Sequence, residues 1–255
     1  MKFNHVKADL KIGKTIFGTM AFEFFTPGLC QILHSAGASF VILDMEHSGV
    51  SIDTIKTQIS YARGIGIIPM VRVPATQYHL ISTILDAGAM GIMVPMVETE
   101  DQARKIASWA RYRPLGTRGL AFSMAHDDYL GGDITEKMRE ANENIMVIAL
   151  IETETGIENV DSIMAVPGID VGWLGHFDLT DSMGIVAQFE HPRFEDAVNR
   201  LVSACKKYGK PSGFLAGNSG VAQTWQKKGF RMLCLGTDIS LLRDTLTRAI
   251  SESRM

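Results

Sequence analysis

Two short apolar runs in the middle of the chain each lead into an acidic residue. Residues 146–151 are followed directly by Glu152, and residues 171–175 are followed within three positions by Asp178. Runs of this kind are typical of parallel strands that are buried on both faces. Because the carboxyl ends of such strands form the site crevice in α/β proteins, we expect the two carboxylates to be neighbours. Two oxygen ligands on a rigid frame suit a hard divalent ion that keeps waters or takes substrate oxygens.

Further polar residues stand at the ends of other apolar runs. Glu46 and His47 follow one run, Arg72 ends the next, and His176 follows residues 171–175. Carboxylates, an imidazole and a guanidinium converging from four strands are the parts of a metal-assisted site. We favour His47 as the base, because an imidazole titrates near neutral pH. Arg72 at a strand end beside a metal would be the partner of an oxyanion.

Each of these residues also has a purely structural interpretation. Glu152 could cap the following helix, and Asp178 could begin one, as acidic residues often do at strand-to-helix turns. Arg72 could form an ion pair with Asp44 that has no catalytic duty. A single histidine such as His47 is more often a hydrogen-bonded structural residue than a base. We favour chemistry because these residue types are expected to converge.

The positions of these residues depend on a repeated strand–helix pattern. The predicted strands are residues 14–20, 38–44, 67–72, 91–96, 145–151, 171–175, 211–216 and 231–235. Segments with helical spacing of apolar residues lie between them, among them 27–36, 51–63, 99–112, 221–228 and 240–251. Eight such units in 255 residues predict a single α/β domain over residues 1–255, a closed (β/α)8 TIM barrel.

An open doubly wound sheet is the alternative fold. It normally has fewer strands and often carries Gly-x-Gly-x-x-Gly after its first strand, which this chain lacks. The strand–helix repeat is interrupted once, by a long glycine-containing insertion at residues 113–144 before the fifth strand. Such a connection is usually a functional loop or an interface element. Asp133 is expected to cap a short helix within it.

Composition limits the class of protein. The chain is 46% hydrophobic with a formal net charge of −3 and no basic stripe, so we expect no nucleic-acid or membrane partner. The first residues lack the apolar core of a signal peptide, and no apolar run approaches the roughly 20 residues of a membrane span. Cys30, Cys205 and Cys234 have no close spacing, which predicts buried apolar packing in a reduced cytosol. A cytoplasmic location is therefore expected.

The lysines bear on the mechanism. A Schiff-base aldolase needs a lysine at the carboxyl end of a strand in an apolar pocket. Lys14 and Lys210 instead stand at the beginnings of predicted strands, and no other lysine lies in one. A carbanion formed at this site would have to be stabilised by a metal.

Glycine-containing turns follow the seventh and eighth strands, where barrels often bind phosphate at helix starts. Asp238 in the second of these turns would repel phosphate. Helix capping is the expected role of Asp238.

A series of short motifs runs in order over nearly the whole chain. They are Leu43-Asp-Met-Glu-His47, Val71-Arg72-Val, Leu85-Asp86-Ala-Gly, Val94-Pro-Met-Val97, Pro114-Leu-Gly-Thr-Arg-Gly119, Ile151-Glu152-Thr and Gly175-His-Phe-Asp178-Leu. Each motif is weak alone, but together they resemble the metal-dependent (class II) pyruvate aldolases. That family includes 4-hydroxy-2-oxoheptanedioate aldolase and 2-dehydro-3-deoxyglucarate aldolase.

The resemblance implies a metal site and a substrate. Mg²⁺, Mn²⁺ or Co²⁺ would be held by Glu152 and Asp178, and pyruvate or its enolate would chelate that ion through its carboxylate and C2 oxygen. Arg72, Gly175, Asp178 and the backbone amide of Phe177 would contact the substrate. The resemblance also implies a (β/α)8 barrel in a homo-oligomer, a hexamer or trimer of dimers.

The same resemblance assigns catalytic roles. It makes His47 the base, acting through water, and Arg72 the group that stabilises the developing oxyanion, while Asp86 raises the basicity of His47. Asp86, however, falls near the end of the helix after the third strand, at the rim away from the predicted site. Either that helix ends differently or Asp86 serves a neighbouring subunit, and we adopt the second as a hypothesis.

Two departures from the family pattern point to a different second substrate. Leu150 replaces a glutamine of several family members and cannot donate a hydrogen bond. Gly175-His-Phe-Asp178 replaces a Gly-Pro-Ala-Asp sequence, which makes His176 a candidate polar contact or a partner of the metal ligands. A structural histidine is the commoner case.

These observations predict a carbon–carbon lyase that reversibly cleaves a 4-hydroxy-2-oxo acid into pyruvate and an aldehyde. A decarboxylase or other lyase acting through the same metal-bound enolate is one alternative. A non-catalytic barrel that binds 2-oxo acids is the other.

Overall fold

The predicted strands form a closed parallel barrel in which each strand pairs with its sequence neighbours and β1 pairs with β8. The computed structural model describes residues 1–254. Its strands are β1 Ile16–Ala21, β2 Phe40–Asp44, β3 Ile68–Arg72, β4 Gly91–Val94, β5 Met146–Ile151, β6 Val171–Leu174, β7 Ser212–Ala216 and β8 Phe230–Thr237. Every boundary lies within two residues of its prediction. The (β/α)8 fold is confirmed, and the open sheet is excluded.

The helices surround this barrel. They are α1 His5–Lys11, α2 Leu29–Ser35, α3 Ile52–Ile65, α4 Tyr78–Asp86, α5 Glu100–Trp109, α6 Ile134–Asn144, α7 Glu154–Glu158, α8 Val160–Ala165, α9 His176–Ser182, α10 Pro192–Lys207, α11 Ser219–Lys227 and α12 Asp238–Ser253. The connection over residues 113–144 contains a 3-10 turn at Ala125–Asp127 and then α6, which Asp133 caps. The predicted domain limits, 1–255, stay a prediction, because residue 255 lies outside the described part of the chain.

The apolar residues form two clusters, because successive side chains of a strand point to opposite faces. One cluster lies between the strands and the helices, and the other fills the barrel. Val6 and Leu10 of α1 belong to the barrel cluster and close it at the amino-terminal end of the strands. Trp173 fits inside because its neighbour is Gly213, where a Cβ atom would come within 2.1 Å of the indole.

A buried carboxylate fixes the loop that follows β1. Asp238 accepts hydrogen bonds from the backbone N–H groups of Phe22, Glu23 and Phe24 at 3.0, 2.9 and 2.7 Å. The N-cap of α12 is Thr237, whose hydroxyl accepts from the Ser240 N–H, so the predicted capping residue is corrected from 238 to 237. Asp238 ties two neighbouring loops together at the carboxyl end of the barrel.

Two smaller predictions concern the cysteines and membrane spans. All three cysteines are buried and unbonded to each other, as expected for apolar packing. No helix within residues 1–254 is both long and apolar enough to cross a bilayer.

Candidate active site

The carboxyl ends of the strands surround a cavity of about 260 Å³. Side chains at the last inward position of a strand, or just beyond it, reach this space. The lining residues are Met20, Phe22, His47, Arg72, Met93, Leu150, Glu152, Trp173, Leu174, Gly175, His176, Phe177, Asp178 and Leu215. Of the predicted site residues, only Glu46 and Asp86 are absent from this lining, and the others therefore meet at one place.

Glu152 lies directly after β5 and is only 3% exposed. One of its carboxylate oxygens, Oε1, accepts a hydrogen bond from the Met96 N–H at 2.8 Å. Met96 has a left-handed backbone with φ of 54°, which is uncommon for a residue other than glycine. Burial raises the pKa of the Glu152 carboxyl to about 7, and the charges of Asp178 and Glu46 act in the same direction. The side chain does not cap α7, because Thr153 does so by accepting from the Gly156 N–H.

Gly175 leaves the space that the Glu152 carboxylate occupies. A Cβ atom at this position would lie 2.5 Å from both Cβ and Oε2 of Glu152, and 3.2 Å from Leu150 Cδ1. Its N–H donates to the Ile151 carbonyl at 3.0 Å, which holds the end of β6 against the end of β5. Any residue larger than glycine would displace the carboxylate.

Asp178 lies in the first turn of α9, so it begins a helix, which was the structural role considered for it from the sequence. It is exposed and also lines the cavity. Its negative charge raises the pKa of Glu152 and that of Glu46. Gly175 precedes the helix and offers no side chain to cap its first amides, which include the Phe177 N–H.

Arg72 is held by two carboxylates. Its Nε atom donates to Oδ1 of Asp44, which is fully buried at the end of β2. Its Nη1 atom lies 3.2 Å from Oε2 of Glu46, and its guanidinium carbon lies 5.5 Å from the centre of the Phe22 ring. The ion pair with Asp44 therefore exists, and the guanidinium still reaches the cavity. The pair fixes the direction of Arg72.

Glu46 and His47 lie in the loop between β2 and α3. Glu46 Oε2 is buried and accepts no hydrogen bond of good geometry within the described residues, but it forms an ion pair with Arg72 Nη1 at 3.2 Å, and His47 Nε2 lies 3.7 Å away. Burial raises the pKa of Glu46. The His47 side chain is 59% exposed, and its backbone N–H donates to Asp44 Oδ2 at 2.8 Å. Asp44 thus positions both Arg72 and the His47 backbone.

His176 lies among aromatic rings. The centres of Phe177, Phe189 and Phe214 lie 4.5, 5.3 and 4.8 Å from the centre of its imidazole. Burial lowers the pKa of His176 to about 4, so the ring is neutral near pH 7. These contacts are those of a packed histidine at the edge of the cavity.

Asp86 lies away from His47 of the same chain. It is the last residue of α4, at the opposite end of the barrel, and its carboxylate pairs with the buried guanidinium of Arg118. It does not line the cavity. The helix ends where the sequence predicted, so only the hypothesis of a neighbouring subunit is left for a role beside His47, and it stays a prediction.

The donor set fits a hard divalent ion that is held by few protein atoms. No group of three or more histidine, cysteine or acidic residues that could hold a metal occurs in residues 1–254. Glu152 and Asp178 supply two carboxylates, and Gly175 leaves Oε2 of Glu152 uncovered by a side chain. An ion with carboxylate ligands and several positions for water or substrate oxygens, as Mg²⁺ prefers, matches this arrangement.

Comparison with known proteins gives one consistent result. The family model described as HpcH/HpaI aldolase/citrate lyase matches residues 22–245. A 5-keto-4-deoxy-D-glucarate aldolase of Klebsiella pneumoniae subsp. pneumoniae is 32% identical over 213 residues, covering 84% of this chain and 82% of that protein. The solved HpcH/HpaI aldolase from Desulfitobacterium hafniense DCB-2 has a TM-score of 0.93 at 29% identity, covering 100% and 97% of the two chains. A family member from Burkholderia cenocepacia J2315 has a TM-score of 0.92 at 29% identity, covering 99% and 100%.

Proposed function

The chain belongs to the HpcH/HpaI aldolase/citrate lyase family and is a carbon–carbon lyase, and we propose that it reversibly cleaves a 4-hydroxy-2-oxo acid into pyruvate and an aldehyde. The observation that carries this proposal is the convergence of Glu152, Asp178, Arg72 and His47 on one cavity. An acidic pair, a guanidinium and an imidazole are the groups that a metal-dependent aldolase requires.

Glu152 and Asp178 are the proposed ligands of a divalent ion, Mg²⁺, Mn²⁺ or Co²⁺. When bound, such an ion would act as a Lewis acid toward the C2 carbonyl and favour the enolate of pyruvate. The Met96 N–H holds one oxygen of Glu152, and Gly175 keeps the other clear. Met96 and Gly175 thereby set the direction of the Glu152 carboxylate before any ligand binds.

Arg72 is the proposed oxyanion partner. Asp44 and Glu46 already hold its guanidinium, so it needs no reorganisation when negative charge develops on the substrate. Gly175 and the Phe177 amide, at the uncapped start of α9, are proposed to contact the substrate carboxylate. These contacts would bind and orient a 2-oxo acid beside Asp178.

His47 is the proposed base, acting through water on the proton that is transferred during cleavage. Its ring is exposed enough to reach solvent and lies beside Glu46. The Glu46 carboxylate lies 3.7 Å from Nε2 of His47, and we propose that it orients the imidazole ring. The surrounding loop is fixed by Asp44, so the ring stays at the mouth of the cavity.

The proposal includes a homo-oligomer, a hexamer or trimer of dimers, and α12 supports it. Of its 16 residues only Asp238 is buried. Large apolar side chains of this helix are exposed, and they are Ile239, Leu241, Leu242, Leu246 and Ile250. No part of residues 1–254 covers this stripe, and exposed patches of this kind mark subunit contacts. We propose that a second copy of the chain covers it. Asp86 would then act on a neighbouring subunit's His47.

The test measures metal binding and proton transfer separately. We expect Glu152→Ala and Asp178→Ala each to abolish Mn²⁺ binding and aldol cleavage. His47→Ala should keep the metal but lose exchange of the pyruvate methyl protons with D₂O, followed by NMR. Glu154→Ala is the control, because this neighbouring carboxylate is exposed and pairs with Arg193 outside the cavity.

Three results would contradict the proposal. Full turnover in chelator-treated protein would exclude a metal-dependent mechanism. Release of pyruvate from oxaloacetate with no turnover of any aldehyde would favour a decarboxylase. Tight binding of 2-oxo acids without turnover would favour a non-catalytic barrel. A panel of aldehydes with pyruvate and Mg²⁺, Mn²⁺ or Co²⁺ distinguishes these cases.

A further inference from the structure

The groups that line the active-site cavity are unevenly distributed. His47, Arg72, Glu152 and Asp178 come from the ends of β2, β3, β5 and β6. Apart from the His176 imidazole, which packs among phenylalanine rings, the remaining wall at β7 and β1 and the floor are apolar. The apolar lining residues there are Leu215, Met20, Phe22, Met93, Leu150 and Trp173. A substrate with its 2-oxo-acid end at the carboxylates would therefore place its other end against apolar side chains.

Positive charge in this cavity is scarce and already engaged. Within residues 1–254, Arg72 is the one guanidinium in the lining, and Asp44 and Glu46 both hold it. Among the described residues that line the cavity there is no lysine, and none has a hydroxyl or a carboxamide side chain. A carboxylate on the second substrate would find no free cation among the lining residues of this chain, and hydroxyl groups there would have few partners from it. Burying such groups unpaired is unfavourable.

Leu150 lies where this discrimination would act. It is two residues before Glu152, which directly follows the same strand, so both side chains point toward the inside of the barrel. Its Cδ1 atom lies 3.2 Å from the Cβ position of Gly175, which itself borders the Glu152 carboxylate. Leu150 is buried and belongs to the apolar cluster inside the barrel, together with Trp173 and Met93. It thus forms the apolar surface next to the proposed metal ligands.

The cavity is small, although it opens to solvent at the end of the barrel. About 260 Å³ is just below the roughly 300–1,000 Å³ that is typical of ligand pockets. Phe177 at the mouth is 60% exposed and adds an apolar rim. A small second substrate that carries an alkyl group matches both the size and the lining.

From this geometry we propose that the aldehyde partner is small, uncharged and apolar, and that Leu150 is a residue that determines this specificity. The proposal deepens the proposed function and rests on it. A glucarate-type substrate has a carboxylate at each end, and only one of these would belong to pyruvate. The second would lie against the apolar wall formed by Leu215 and Phe22, so we expect such a substrate to be poor here.

Two pairs of aldehydes of matched shape test the proposal. In the first pair, glyoxylate carries a carboxylate where 2-methylpropanal carries an isopropyl group. In the second pair, glycolaldehyde carries a hydroxyl where propanal carries a methyl group. With pyruvate and Mn²⁺, we expect kcat/KM for 2-methylpropanal to exceed that for glyoxylate by roughly a hundredfold. The kcat/KM for propanal should exceed that for glycolaldehyde by roughly tenfold.

Variants of Leu150 assign the effect to one side chain. Leu150→Gln adds a hydrogen-bond donor and acceptor of similar length, and should reduce both preferences by about tenfold. Leu150→Met is the matched variant, because it keeps an apolar group of similar volume. It should retain the wild-type order of the four aldehydes. Equal preferences in Leu150→Gln and Leu150→Met would exclude Leu150 as the determinant.

Exchange of the pyruvate methyl protons in D₂O tests the proposed aldolase function separately from the proposed aldehyde specificity, because exchange needs no aldehyde. Exchange together with preference for the apolar member of each pair would support the proposal. Exchange with equal or better turnover of glyoxylate would overturn the apolar acceptor alone. No exchange in the wild-type protein with Mn²⁺ would overturn the proposed function and this inference together.

Discussion

Gly175→Ala tests the proposed metal site at its most crowded point. The added Cβ atom would lie 2.5 Å from Glu152 Oε2, whereas ordinary contacts lie near 3.5 Å, so the carboxylate must move by roughly 1 Å. That movement also breaks the 2.8 Å hydrogen bond from the Met96 N–H. We expect Mn²⁺ affinity to fall by roughly 10–100-fold, as when a group that orients a ligand is lost. Overpacking should lower the free energy of unfolding by about 1–3 kcal/mol.

The matched control is Gly217→Ala, in the loop after β7 at the same end of the barrel. No atom lies within 4 Å of its added Cβ, and its backbone is not left-handed. Titration calorimetry with Mn²⁺ measures the affinities, and thermal unfolding followed by circular dichroism measures the stabilities. If Gly175→Ala bound Mn²⁺ as tightly as Gly217→Ala, the position of the Glu152 carboxylate would not matter to the ion. The assignment of Glu152 as a ligand would then be wrong.

Two further predictions concern pH and assembly. Because burial raises the pKa of Glu152 to about 7, its carboxyl is protonated below that pH, and a bound ion must expel the proton. Mn²⁺ affinity should therefore rise by about tenfold per pH unit between pH 5 and 7 and level off above pH 7. Close to one proton should be released per ion bound at pH 6. An affinity independent of pH in this range would contradict the assignment of Glu152 as a metal ligand. Leu242→Asp combined with Leu246→Asp should convert the oligomer to smaller species in light scattering, because charges would enter the proposed contact. Thr247→Asp, on a different face of the helix, should leave the oligomer intact. An unchanged mass in the double variant would exclude α12 from the subunit contact.

The barrel was predictable because each strand is buried on both faces and appears as an uninterrupted apolar run. Helix α1 was not predicted, since its seven residues are too few for a periodic pattern, although Val6 and Leu10 close the barrel. Helix α10 was not assigned either. Its signal was present, because Phe194, Val198 and Leu201 recur at helical spacing and are all buried.

The candidate site was only partly predictable. Strand ends are visible in sequence, and they gave Glu152, Arg72 and His47. The hydrogen bond from Met96 to Glu152 joins residues 56 positions apart and depends on a left-handed backbone at a methionine, which no local pattern indicates. The role of Gly175 was also hidden, because a glycine after a strand is expected for many reasons. Its close approach to Glu152 depends on the pairing of β5 with β6.

The charges at the carboxyl end of the barrel connect the metal site with the base. Glu46 and Glu152 both have raised pKa values, mainly through burial, and the charge of Asp178 raises both further. A divalent ion at Glu152 and Asp178 would offset that repulsion and favour ionised Glu46. Ionised Glu46 lies 3.2 Å from Arg72 Nη1 and 3.7 Å from His47 Nε2, so it would hold the guanidinium and orient the imidazole ring at the same time. We therefore propose that Glu46 is the carboxylate of the same chain that assists the base His47, whereas Asp86 would have to act from another subunit.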